Sequence, residues 1–145
     1  NTYANNSGNN VSGNMITFHD HGGTERGKIS TNGSSTSYIT SSDYRLKENV
    51  VPLIGAIDRI NKFKVHRFNF IGISDSTVDG FLAHEAQTVV PEAVTGTKDE
   101  VDDDGKAVMQ GIDQAKLVPL LTAALQEAIA KIETLDTKVA ALEAG

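Results

Sequence analysis

Two residues have the types and spacing for covalent chemistry. Ser42 and Lys47 stand five positions apart in Ser41-Ser42-Asp43-Tyr44-Arg45-Leu46-Lys47-Glu48-Asn49-Val50. Peptide cleavage needs a nucleophile, a base and stabilisation of an oxyanion. A serine hydroxyl is a weak nucleophile until a base removes its proton. Lysine is such a base only when neutral, a form favoured by burial or by nearby positive charge. Arg45 is close enough in sequence to supply that charge. Ser42 could then attack the carbonyl of Ser41, the bond just before it, or the same bond in a neighbouring chain, leaving one product that ends at Ser41 and another that begins at Ser42. The bland reading of the same residues is a helix N-cap, with Ser42 or Asp43 holding a first turn. Spacing alone does not decide between them.

Three other groupings invite a chemical reading. His19 and His21, in Phe18-His19-Asp20-His21-Gly22, face the same way if both lie in a strand. They are a weak metal candidate, and a polar surface turn is the favoured alternative. The run Asp99-Glu100-Val101-Asp102-Asp103-Asp104-Gly105 suggests calcium, but Gly111 stands where the loop pattern needs a bidentate glutamate. An acidic hairpin turn is favoured. His84-Glu85 lacks the second histidine of the metalloprotease spacing, because Thr88 occupies that place. No cofactor fingerprint is present.

The elements around these residues fall into two compositions. Up to Ser42, about two-thirds of the residues are Asn, Ser, Thr or Gly, which reads either as linker or as thin strands that bury themselves only against other copies. Met15 to Phe18, Gly27 to Ser30 and Ser37 to Ile39 are the strand-like pieces. From Asp43 the composition is globular. Pro52 to Asn61 reads as a helix and Phe63 to Phe70 as a strand. Asp75 to Gly80 reads as a turn-rich connection and Gly80 to Ala83 as a short strand. His84 to Val90 reads as a short helix that Pro91 ends. Val94 to Lys98 and Ala107 to Ile112 read as a hairpin.

The last segment carries the clearest pattern. After Asp113, a good N-cap, apolar residues follow a seven-residue repeat: Val118, Leu121, Leu125, Ala128, Ile132, Leu135, Val139 and Leu142. That is a coiled-coil seam. In a parallel bundle Lys131 would meet Asp136 of a neighbour, and Lys138 would meet Glu143. Pro119 requires the helix to begin near it or bend.

The whole chain sets outer bounds. It has 145 residues, a formal charge of −6 and no cysteine. The charge disfavours nucleic acid and anionic membranes as partners. Without cysteine, disulfides and thiol catalysis are excluded. No apolar run is long enough to span a bilayer. A chain starting at Asn1 reads as a piece of something longer.

Ser42-Asp43-Tyr44-Arg45-Leu46-Lys47-Glu48-Asn49 resembles the opening signature of the self-cleaving C-terminal intramolecular chaperone domain of phage tail fibres, tailspikes and endosialidases, the peptidase S74 family. The likeness continues through Gly80-Phe81-Leu82-Ala83-His84-Glu85-Ala86-Gln87 and Pro91-Glu92-Ala93-Val94. It closes with Ile112-Asp113 and Leu117-Val118-Pro119-Leu120-Leu121. His84 and Gln114 depart from the family's usual Gln and Tyr. The resemblance implies a homotrimer in which the chaperone holds the upstream fibre segment of the same chain in register and is then cut off between Ser41 and Ser42. It maps the family's catalytic dyad onto Ser42 and Lys47, with Asp43 and Arg45 as possible support. It also implies a virion fibre or spike precursor assembled in the host cytoplasm, with no cofactor. The expected fold is α+β: the end of a β-rich stalk over 1–41, then over 42–145 a small mixed domain with a long C-terminal coiled-coil helix. A trimerisation module of a fibrous adhesin, without chemistry, is the alternative.

Overall fold

A computed structural model describes residues 12–73 and 75–144. It separates into two compact units, one ending at Val51 and the other starting at Pro52. The compositional border at Ser42 thus lies inside the first unit, and Ser42 and Lys47 share that unit with the strands.

The first unit is an antiparallel three-stranded sheet in the order β1 (Ser12–His19), β2 (Glu25–Asn32) and β3 (Thr36–Thr40). Register places Ile16 opposite Ile29 and Ile29 opposite Tyr38, so these three residues form one cross-strand row. The β1–β2 turn is closed by Asp20, whose carboxylate accepts from Thr24 N at 2.9 Å and from Arg26 Nε at 2.8 Å. At the β2–β3 turn, Asn32 Oδ1 accepts from the backbone of Ser34 and Ser35. Polar side chains fold both turns, which is the local reason so polar a segment forms strands. Little is buried: among the described residues of this unit only Gly27 is. A short 3-10 turn, Tyr44–Leu46, follows the sheet.

The second unit is mixed. It contains α1 (Ala56–Ile60), the hairpin β4 (His66–Asn69) and β5 (Thr77–Gly80), and α2 (Ala83–Ala86). Then come a 3-10 turn Pro91–Ala93, the short pair β6 (Val94–Thr95) and β7 (Gly111–Ile112), a 3-10 turn Gln114–Leu117, and α3 (Val118–Glu143). The core is small: Ala56, Val89, Val90, Ala93, Leu117, Leu120 and Ala124, with Ile57, Ile60, Phe63 and Phe81 packed on it. The architecture is α+β with a long C-terminal helix.

Several boundaries differ from the sequence expectation. The helix expected from Pro52 begins only at Ala56, because Gly55 adopts a left-handed conformation (φ 69°) just before it. The segment expected as a turn over 75–80 ends instead in strand β5. Its cross-strand partners explain this: Arg67 forks onto Asp79 at 2.8 and 3.0 Å, and Phe68 stands opposite Val78. The strand expected over 80–83 does not form: Gly80 ends β5, and α2 starts at Ala83. The hairpin over 94–112 is paired at its base, β6 with β7, and again at Val101 with Ala107. Asp113 caps the 3-10 turn rather than α3, accepting from Ala115 N, and Pro119 falls in the first turn of α3.

Candidate functional site

Local sequence brings Ser42 and Lys47 together. Asp43 is the N-cap of the Tyr44–Leu46 turn and its Oδ1 accepts from Arg45 N at 2.9 Å. The turn closes with Leu46 N donating to Asp43 O and Lys47 N to Tyr44 O, both at 3.1 Å. A 3-10 turn advances about three residues per revolution, so Lys47 emerges on the side from which the chain entered. Its Nζ lies 2.7 Å from Ser42 Oγ. As an ammonium, the amine donates to the hydroxyl oxygen. As a neutral amine, its lone pair would accept the hydroxyl proton over the same path. The bland N-cap reading therefore belongs to Asp43, and the Ser42 hydroxyl meets the lysine.

Arg45 does not stand as a free positive charge beside Lys47. Its guanidinium forks onto Asp43, Nε to Oδ1 at 2.9 Å and Nη2 to Oδ2 at 2.8 Å. The Arg45 guanidinium, and then the Arg45 backbone N–H, hold the Asp43 carboxyl below its ordinary range. The carboxylate in turn raises the Arg45 pKa. The pair braces the turn that carries Lys47.

The peptide bond before Ser42 is fixed from the other side. Ser41 N donates to Arg26 O at 2.9 Å and Ser41 Oγ donates to Glu25 O at 3.0 Å. Ser41 thus extends the β2–β3 pairing one step past Thr40. Around this pair the surface is open: Ser42 and Lys47 are exposed, as are Tyr44, Leu46, Val50 and Val51.

The remaining sequence candidates are scattered. β1 ends at His19, and His21 lies in the turn beyond, so strand alternation does not carry from one to the other. His19 Nδ1 sits 3.0 Å from the Gly23 carbonyl oxygen. Asp102 Oδ1 accepts from Asp104 N and Lys106 N, which makes the acidic run a hairpin turn. Glu85 does not pair with its neighbour His84; it receives Lys64 Nζ at 2.9 Å and His66 Nε2 at 2.5 Å. Lys64, with His66 next, holds the Glu85 carboxyl below its ordinary range.

The heptad residues lie along one side of α3 and make almost no use of their own chain. Apart from half-buried Ala128, they are between 50% (Val139) and 81% (Leu142) exposed. The core takes a neighbouring stripe instead, Leu120 and Ala124, with Leu117 before it. Sequence reasoning missed Glu127, which continues that stripe. Its carboxylate accepts from Ala56 N at 2.8 Å and Ile57 N at 3.0 Å, capping α1 from another helix. No local motif announces a cap supplied from so far along the chain.

Comparison with known proteins adds a family. The model of the family described as chaperone of endosialidase matches residues 42–95, a span that opens on Ser42 and contains Lys47. The chain is also similar to long tail fiber protein Gp37 of Enterobacteria phage K3, 31% identical over 102 residues, covering 68% of this chain and 8% of that protein. Gp37 of Enterobacteria phage T2 is 31% identical over 102 residues as well, covering 68% of this chain and 7% of that protein. The chain spans less than a tenth of the length of these relatives.

Proposed function

Residues 42–95 belong to the chaperone of endosialidase family, and from that premise we propose that this chain is the end of a phage tail fibre or spike together with the chaperone that gathers three copies, aligns them and then cuts itself free between Ser41 and Ser42. Ser42 is the nucleophile and Lys47 the base. Ser42 Oγ adds to the Ser41 carbonyl carbon and its proton passes to Lys47 Nζ. The bond from that carbon to the Ser42 nitrogen breaks, and the nitrogen takes the proton. Water then opens the resulting ester, leaving a carboxylate on Ser41 and a free amine on Ser42. The observation that carries this reading is the 2.7 Å contact between Lys47 Nζ and Ser42 Oγ.

The physics of assembly supports the same reading. A polar sheet with little of its own to bury gains order mainly from contacts between chains, and such contacts form slowly and risk misregister. A three-stranded bundle along Val118 to Leu142 raises the effective concentration of the strands and sets their alignment. The exposed apolar residues beside the dyad, Tyr44, Leu46, Val50 and Val51, give neighbouring copies a surface to cover. Covering it would desolvate the lysine and favour its neutral form. Cleavage then follows assembly.

Denaturing gels and intact-mass measurement test the reading. Wild type, after folding, should yield a fragment running from Ser42 to Gly145, whereas Ser42→Ala should stay whole, as should Lys47→Met. A wild-type chain that remains whole after long incubation as a folded trimer would leave a purely structural trimerisation module.

A further inference from the structure

We infer that Gly27 and the Ser41 hydroxyl are positioning residues for the cut, so that the bond is presented to Ser42 and Lys47 only when β3 is paired in register on β2. The inference rests on the self-cleavage reading and adds to it the element that holds the bond.

Gly27 is buried in β2, where register sets it opposite Thr40. A Cβ added there would stand 2.7 Å from the Ile39 carbonyl oxygen. That is closer than real contacts allow, and the neighbour is backbone, not a side chain that can swing away. The φ of Gly27 is not in the left-handed region, so glycine is needed here for space and not for conformation. The room it leaves lets β3 approach β2 at the last two residues of the strand.

The approach is used at once. Arg26 O receives Ser41 N, and Glu25 O receives Ser41 Oγ. Both acceptors belong to the two residues just before Gly27. The residue whose carbonyl is attacked is therefore tied at its nitrogen and its side chain to the neighbouring strand. On the far side of the bond, the Asp43 turn holds Lys47 on Ser42. A misplacement of reacting atoms by about 1 Å costs on the order of a hundredfold in rate, so a β3 displaced by a Gly27 side chain would disable the cut without touching the dyad. The two bonds on Ser41 also stay with the fibre after cleavage, which would end the stalk on a paired residue.

The test compares the full chain carrying Gly27→Ala, Ser41→Ala or Ser41→Thr with wild type, following the fraction cut over time by intact mass. Thermal melting of each variant is measured in a Ser42→Ala background, where no cut occurs. Gly27→Ala should slow the cut by at least tenfold. Ser41→Ala should slow it by about fivefold to tenfold, the size expected from one lost hydrogen bond, with Ser41→Thr restoring most of the rate. The melting temperature of Ser41→Ala/Ser42→Ala should fall below that of Ser42→Ala by no more than the roughly 2–4 °C that one lost hydrogen bond accounts for, which separates positioning from a general loss of fold. If Gly27→Ala fails to fold, the Ser41 pair decides alone. Wild type that cuts while Ser41→Ala and Gly27→Ala cut at its rate overturns this inference and leaves self-cleavage standing. Wild type that never cuts removes the reading beneath it.

Discussion

At the scale of single residues, Asp43 does more for the candidate site than its place between Ser42 and Lys47 suggests. One carboxylate caps the turn at Arg45 N and also receives the Arg45 guanidinium. The two contacts are separable by mutation. Arg45→Ala removes the fork but keeps the backbone N–H and hence the cap; Asp43→Ala removes both. Asp43→Ala should therefore slow self-cleavage several-fold more than Arg45→Ala, and Asp43→Asn should fall between them because its amide oxygen can still cap. Equal rates in the three variants would mean that the turn forms without its cap. In the sequence, types and spacing left the meeting of Ser42 and Lys47 as one of two open readings. A serine and a lysine five positions apart can meet across one tight turn, and an aspartate between them can cap it. The tether on Ser41 was not legible, because its partners Glu25 and Arg26 belong to a strand whose register no local pattern specifies.

At the scale of elements, α1 shows how a weak helix is kept. It has five residues and starts after a left-handed glycine, with no side-chain cap of its own. Isolated, so short a helix does not hold. Glu127 of α3 supplies the missing acceptor for Ala56 and Ile57, and those N–H groups, Ile57 first, hold its carboxyl below the ordinary glutamate range. The folded pKa is depressed, so the contribution is fully present above the unfolded glutamate pKa, about 4.3. It is lost as pH falls through the lower folded value. Glu127→Ala should thus lower the melting temperature at pH 7, and the gap from the parent should close as pH falls below about 4. Melts by circular dichroism in the uncut Ser42→Ala background measure this; a gap independent of pH would assign the loss to packing instead. The same element explains why helix bounds were hard to read. Leu53, Ile54, Ile57 and Ile60 keep helical spacing, yet Gly55 breaks the run. Likewise the turn-like composition over 75–80 hides a strand that depends on Arg67 and Phe68 across from it. Long periodic α3 needed no such partners to be recognised, although the pattern did not disclose that Leu120 and Ala124 face the core while the heptad stripe does not.

At the scale of the molecule, the decisive feature is an apolar stripe with no use inside one chain. From residue 129 to 144 every described residue is exposed, along a helix that over its 26 residues extends about 39 Å at 1.5 Å per residue. Burying a leucine or isoleucine contributes about 1.5–3 kcal/mol, so closing the outer seam at Ile132, Leu135, Val139 and Leu142 would supply enough, summed over three chains, to offset the cost of association. A charge in that seam has the opposite effect, since each copy would bring it to the same axis. If the chain forms the proposed trimer, Ile132→Asp should convert it to monomer in sedimentation equilibrium while leaving the core around Val90 and Leu120 folded, because Ile132 takes no part in it. The junction should then stay whole, with Ser42 and Lys47 unchanged in sequence and in local turn, if covering by neighbouring copies is what makes the lysine a base. Monomer that still cuts at the trimer's rate would detach the chemistry from assembly and leave the dyad sufficient in a single chain. Trimer that persists in Ile132→Asp would move the association surface away from α3, to the sheet row of half-buried Ile16 and Ile29 and exposed Tyr38.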